Sequence, residues 1–154
     1  MSEAMVFVSS SPFRVEHPST LALYCSDGRF AGAVEEFARH LGHDRLDVLA
    51  IPGGPALLHP SWAVRFFESD TISSALDFLV EAHRIADVLL LAHEGCGYYR
   101  ARYPGDSDED RVRRQHVDLT AAARVVRARH TQANVSAYFM RVEGGHVAFH
   151  RVLV

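Results

Sequence analysis

The chain has 154 residues, a formal net charge of -3 and two cysteines. That length suits one domain with a substantial core, and a slightly acidic balance excludes any general attraction to nucleic acid or to an anionic membrane surface. No apolar run approaches the length needed to span a bilayer, and two cysteines in a reducing compartment point to ligands or catalytic groups rather than a disulfide framework.

Residues 1–19, with Pro12, Pro18 and several serines, read as an N-terminal arm with one short strand at Met5–Val8. Residues 20–154 are expected to form a single domain. Glu3 precedes only a short apolar patch, without the basic start and long apolar core of a secretory leader, so a cytoplasmic location is the expectation. Leu21–Tyr24 is an apolar run ending in Cys25-Ser26-Asp27-Gly28-Arg29 and reads as a first strand. Phe30, Val34, Phe37, Ala38 and Leu41 then recur at helical spacing, with Gly42 as the stop. Leu46–Ile51 reads as a second buried strand. It closes in Pro52-Gly53-Gly54-Pro55, which either turns the chain or lets backbone amides come close to a ligand, since glycine has no Cβ.

Ser61–Phe67, bearing Trp62 and Phe66, reads as a short helix. Asp70–Arg84 reads as a longer one, capped by Asp70, with Ile72, Leu76, Leu79 and His83 on one face. Val88–Ala92 is an apolar run that stops at His93-Glu94-Gly95-Cys96-Gly97, a third strand ending in a tight turn. After Tyr98–Tyr103 an acidic stretch, Asp106–Asp110, introduces a long amphipathic helix with Val112, His116, Leu119, Ala123 and Val126 on its inner face. Its arginines alternate with Asp110 and Asp118 and read as a solvated face, with an anion or partner surface as the alternative. His83 and His116 are expected to be structural. Val135–Val142 and His146–Leu153 are strand-like and joined at Glu143-Gly144-Gly145, a hairpin signal that makes the last strand antiparallel.

These elements predict an α/β fold: a mostly parallel sheet of order 2-1-3-4 with an antiparallel edge strand and helices on both faces. In such a sheet the first and third strands are neighbours, and the crevice beyond their C-terminal ends is where ligands bind. Cys25, His93 and Cys96 would meet there. Two thiolates and an imidazole suit zinc, and three protein ligands leave the fourth tetrahedral position for water or substrate. Residues 25, 27 and 29 are spaced by two, so extended backbone would send their side chains to one side and place Asp27 beside the metal and Arg29 beside Asp27.

Cys-Ser-Asp-Gly-Arg followed by His-Glu-Gly-Cys-Gly resembles the Cys-x-Asp-x-Arg and His-x-x-Cys motifs of the β-class carbonic anhydrases. The resemblance extends over the order of elements from about Leu21 to Val154. It implies zinc-dependent reversible hydration of carbon dioxide to bicarbonate, with Cys25, His93 and Cys96 as metal ligands and Asp27 and Arg29 as the catalytic pair. It also implies that Asp27 either closes the site as a fourth ligand or turns to Arg29 and leaves that position to water, and that the chain forms a homodimer or higher homo-oligomer. Three departures stand out. Residues 1–20 are too short for the two N-terminal helices with which the family often embraces a neighbouring subunit. Pro-Gly-Gly-Pro replaces the family's usual Asn-Ala-Gly type loop, and no glutamine lies between Cys25 and Cys96, where many members place one near bicarbonate.

The chemistry expected is attack on carbon dioxide by hydroxide, supplied because zinc lowers the pKa of a bound water to around 7. Asp27 would orient that hydroxide and Arg29 would hold Asp27 by a planar two-pronged contact. Tyr98, His59 or buffer would export the proton, and Glu94 would face solvent or cap a helix. Two other readings stay open: hydrolysis of carbonyl sulfide or carbon disulfide at the same site, and a non-catalytic zinc protein closed by Asp27.

Overall fold

The computed structural model describes residues 3–59 and 66–154. Along the chain run β1 (Thr20–Tyr24), α1 (Gly28–His40), β2 (Asp47–Ala50), a 3-10 helix (Gly54–Leu58), α2 (Phe66–Ala82), β3 (Asp87–His93), α3 (Gly97–Arg102), α4 (Asp108–Arg129), β4 (Asn134–Glu143) and β5 (His146–Val152). The strands form one sheet in the order β2-β1-β3-β4-β5. The first three pairings are parallel, and β5 joins antiparallel through Gly144-Gly145. Both glycines there have positive φ, 55° and 80°, the geometry a two-residue hairpin requires and side chains resist. Order, direction and edge strand agree with the sequence reading.

Period-two alternation assigns the core to two faces. Leu21, Leu23, Val88, Leu90, Val135, Ala137 and Phe139 pack under Leu76 and Val80 of α2 and Leu119, Ala122, Ala123 and Val126 of α4. Ala22, Tyr24, Leu89, Leu91, Tyr138 and Met140 pack under Phe30 and Val34 of α1. The sheet is therefore covered on both sides, which is why β1 and β3 read as continuous apolar runs rather than alternating ones.

Several local expectations change. Met5–Val8 belongs to no strand, and its side chains are 70–96% exposed. β2 is not fully buried: its residues alternate between partly buried and exposed, because the 2-1-3 order puts it at the sheet's edge. α2 starts at Phe66, so Asp70 lies inside the helix and does not cap it. The proposed Ser61–Phe67 helix, with Trp62, falls for the most part outside the described residues. α4 begins at a capping box in which Ser107 and Asp110 satisfy each other's backbone N–H groups.

The arginines of residues 111–129 are mostly engaged within the chain. Arg111 donates to the carbonyls of Tyr103 and Pro104, Arg114 pairs with Asp106, and Arg127 donates to the Val135 carbonyl. His116 stacks on Phe139, and burial lowers its pKa. His83 bonds Asp47 at 2.5 Å and stacks on His17. Both histidines are packing elements, as expected. Among the described residues no helix is long and apolar enough to cross a membrane.

Candidate metal centre

β1 and β3 are adjacent and parallel, so the segments leaving their C-terminal ends emerge side by side. Cys25 follows β1, His93 ends β3, and Cys96 caps the N-terminus of α3. The ligand atoms of these three residues all lie within 4.8 Å of one another, and all three residues are buried. Among the described residues this is the one such grouping.

The residues fit zinc by the spacing of the sulfurs, the tautomer of the histidine and the ionisation that the paired thiols favour. The two sulfurs are 3.8 Å apart and both cysteines are free; two sulfurs each about 2.3 Å from a tetrahedral zinc would be about 3.8 Å apart. His93 Nδ1 donates to the Glu94 carbonyl at 2.8 Å, which fixes the tautomer and leaves Nε2 with a free lone pair. That Nε2 is fully buried and has no hydrogen-bond partner, an arrangement that is costly unless something accepts the lone pair. Finally, Cys25 is held well below the ordinary thiol value by hydrogen bonding from Cys96, with help from the backbone N–H groups of Gly53 and Asp27, against the opposing effect of burial. Cys96 is pushed up by that same bond to Cys25 and by burial. Their mutual bond therefore favours ionisation of Cys25 over Cys96.

Metal uptake must expel the proton kept by Cys96, because both sulfurs bind as thiolates. Apparent zinc affinity is therefore expected to rise up to about tenfold per pH unit through the neutral range. Competition against a chelator at several pH values measures this, and an affinity independent of pH would contradict it.

Asp27 does not join the three ligands. It is the N-cap of α1: Oδ1 accepts the Arg29 N–H at 3.1 Å, while the Arg29 guanidinium donates from Nε at 2.9 Å and from Nη2 to Oδ2 at 2.5 Å. The two side chains meet, but not by extended backbone. The helix begins at Gly28, and its first turn brings residue 29 back onto its own cap. The Arg29 hydrogen bonds hold the Asp27 carboxyl down at about 2.

The Pro52–Pro55 loop is tightly constrained. Gly53 has φ 82° and its Cβ position would lie 2.6 Å from the Tyr98 ring; Gly54 has φ 52° and its Cβ would lie 2.8 Å from the Cys25 backbone nitrogen. The double glycine lets the loop pass against Cys25 closely enough for Gly53 to direct its N–H at the sulfur. Gly54→Ala combines a disfavoured φ with a collision against main chain that cannot swing away. It is expected to cost about 1–3 kcal/mol, seen as a lower denaturation midpoint, and a variant as stable as the parent would refute this account.

Glu94 neither faces solvent freely nor caps a helix. Its Oε1 accepts the Val142 N–H at 2.5 Å and Oε2 lies 3.5 Å from Arg141, so it ties the turn between His93 and Cys96 to β4. The Tyr98 hydroxyl is buried without a partner, and burial raises its pKa, so it keeps its proton at neutral pH and is a poor carrier. His59 is exposed beyond the 3-10 helix. Gln115, an α4 residue that is 2% exposed and borders the same region, carries no signal of its own in a charged helix.

No family model matches the chain. Two uncharacterized proteins, from Rickettsia bellii and Rickettsia conorii, are each 24% identical to it over 134 and 131 residues, 82% of this chain and 78% and 69% of their own lengths. Solved structures are more informative. A β-carbonic anhydrase of Aspergillus fumigatus superposes with a TM-score of 0.57 over 90% of this chain and 78% of its own, at 14% identity. Tetrameric β-carbonic anhydrases of Sordaria macrospora give 0.57 over 87% and 81%, at 14%. One from Trichomonas vaginalis gives 0.57 over 92% and 87%, also at 14%. At that identity the likeness is one of fold: this chain has the β-carbonic anhydrase fold.

Proposed function

We propose that this chain is a divergent β-class carbonic anhydrase, binding zinc through Cys25, His93 and Cys96 and interconverting carbon dioxide and bicarbonate. The observation that carries the reading is the convergence of three buried ligand atoms within 4.8 Å at the sheet's crevice, with Asp27 turned away to Arg29. That leaves three protein ligands, the number found in catalytic rather than structural zinc sites. The non-catalytic alternative needs Asp27 as a fourth ligand, and Asp27 is engaged elsewhere.

Zinc, when bound, lowers the pKa of a water toward about 7 and so supplies a nucleophile at neutral pH. The chain's own groups do the rest. His93 presents Nε2 because Glu94 holds Nδ1–H. Asp27, kept ionised by Arg29, accepts a hydrogen bond at its carboxylate and orients the attacking oxygen toward carbon dioxide. Arg29 fixes that carboxylate by its two-pronged contact. Because Asp27 stays ionised far below neutrality, any inflection in rate between about pH 6 and 9 belongs to another group.

The proposed partner is a second copy of this chain. The arm exposes Met5, Val6, Phe7, Phe13 and Val15 at 80–96%, more apolar surface than an isolated segment keeps in water without a covering surface. A reducing cytoplasm is the compartment in which two free ligand cysteines persist.

The decisive experiment is metal analysis of protein purified without chelator, together with stopped-flow carbon dioxide hydration across pH. Zinc near one equivalent with hydration is the expected result. Zinc without hydration would replace this reading with a binding role, and turnover of carbonyl sulfide or carbon disulfide in its place would move the substrate.

A further inference from the structure

Beside the proposed zinc site, beyond the C-terminal ends of β3 and β4, lies a cleft of about 680 Å³. Cys96 and Arg29 border it, but Cys25, His93 and Asp27 do not, so it opens next to the metal ligands rather than over them. Carbon dioxide has no need of such a space; volumes of this size hold whole organic ligands.

Its walls are of two kinds. Phe30, Val112 and Val142 supply an apolar surface, while five arginines against three carboxylates make the polar lining cationic. Two of those arginines keep binding capacity in hand. Arg100 has no carboxylate partner among the described residues, and Arg141 is only loosely paired, 3.5 Å from a Glu94 whose other oxygen is taken by the Val142 N–H.

The second observation is Gln115. It lines this cleft from α4 and is 2% exposed. Its amide carries two donors and an acceptor. A ligand in the cleft would use them.

We propose that this cleft is a binding site for an organic oxyanion, a carboxylate or phosphate on an apolar body. The charged head is held by Arg141 and Arg100 with the Gln115 amide, and the body lies against Val142 and Val112. Arginine forks take carboxylate and phosphate alike; the apolar wall separates an organic anion from an inorganic one. The cleft shares Cys96 and Arg29 with the proposed zinc centre, but an anion held there does not depend on carbon dioxide hydration.

The test is titration of the purified protein with benzoate, phenyl phosphate, inorganic phosphate and neutral benzamide, followed by NMR of the Gln115 side-chain amide and by calorimetry. Each titration is repeated after chelation of the metal. Benzoate or phenyl phosphate is expected to shift the Gln115 signal and bind at least about tenfold more tightly than inorganic phosphate, with no response to benzamide. Binding should survive metal removal and weaken at least about tenfold in both Arg141→Ala and Gln115→Met. Preference between benzoate and phenyl phosphate identifies the head group. Binding that vanishes with the metal would place the anion on the zinc instead. No binding by either organic anion, or binding unchanged in the variants, would overturn the proposal; far-UV circular dichroism of each variant establishes that it is folded before it is scored.

Discussion

Cys25→Ser is expected to leave the protein without retained zinc and with no measurable carbon dioxide hydration. Serine is nearly the same size as cysteine, so packing is kept, but its hydroxyl does not ionise near neutrality and is a poor ligand for a borderline-soft metal. In the free pair the Cys25 sulfur is the one favoured as thiolate, by Cys96 and the backbone N–H groups of Gly53 and Asp27, so its loss removes the sulfur best prepared to bind. Elemental analysis after gel filtration and stopped-flow hydration measure both effects. Full zinc content and full rate in this variant would remove Cys25 from the centre and with it the proposed chemistry.

Asp27 is expected to separate metal binding from turnover. Asp27→Ala should retain zinc, because Asp27 is not among the converging ligands, yet lower hydration by at least about 100-fold, the scale on which a positioned acid–base group acts. Alanine also removes the N-cap of α1, which costs about 1 kcal/mol. Asp27→Asn distinguishes the two roles: asparagine caps a helix as well as aspartate does but lacks the charge that Arg29 grips. Stability should return in the asparagine variant while activity stays low. If both variants turn over at the parent rate, Asp27 has no part in the mechanism.

The features that positioned the site were written locally. An apolar run on both faces of β3 ending in His93-Glu94-Gly95-Cys96 announces a buried parallel strand and its exit turn. The like ending of β1 at Cys25 then makes sense only if the two strands are neighbours, as they are. The Gly144-Gly145 hairpin was equally plain, since few other residues accept two successive positive φ values. What escaped depended on distant partners. Whether Leu46–Ile51 is buried depends on its rank in the sheet, which its own residues do not encode. The Asp27–Arg29 contact was expected for the wrong reason, because Gly28 gives no signal of whether it extends a strand or begins a helix. Glu94 and Gln115 were illegible for a simpler reason: a glutamate in a turn and a glutamine in a charged helix look ordinary until β4 arrives beside one and a cleft opens beside the other.

The bond from Glu94 to the Val142 N–H gives the C-terminal hairpin a stake in the chemistry. The loop bearing two of the three ligand residues is moored to a strand that is itself clasped by β5, the last element of the chain. Shortening the protein at its C-terminus, or fusing a bulky tag that pries β5 loose, would slacken that mooring and let His93 and Cys96 drift apart, although the deleted residues lie outside the centre.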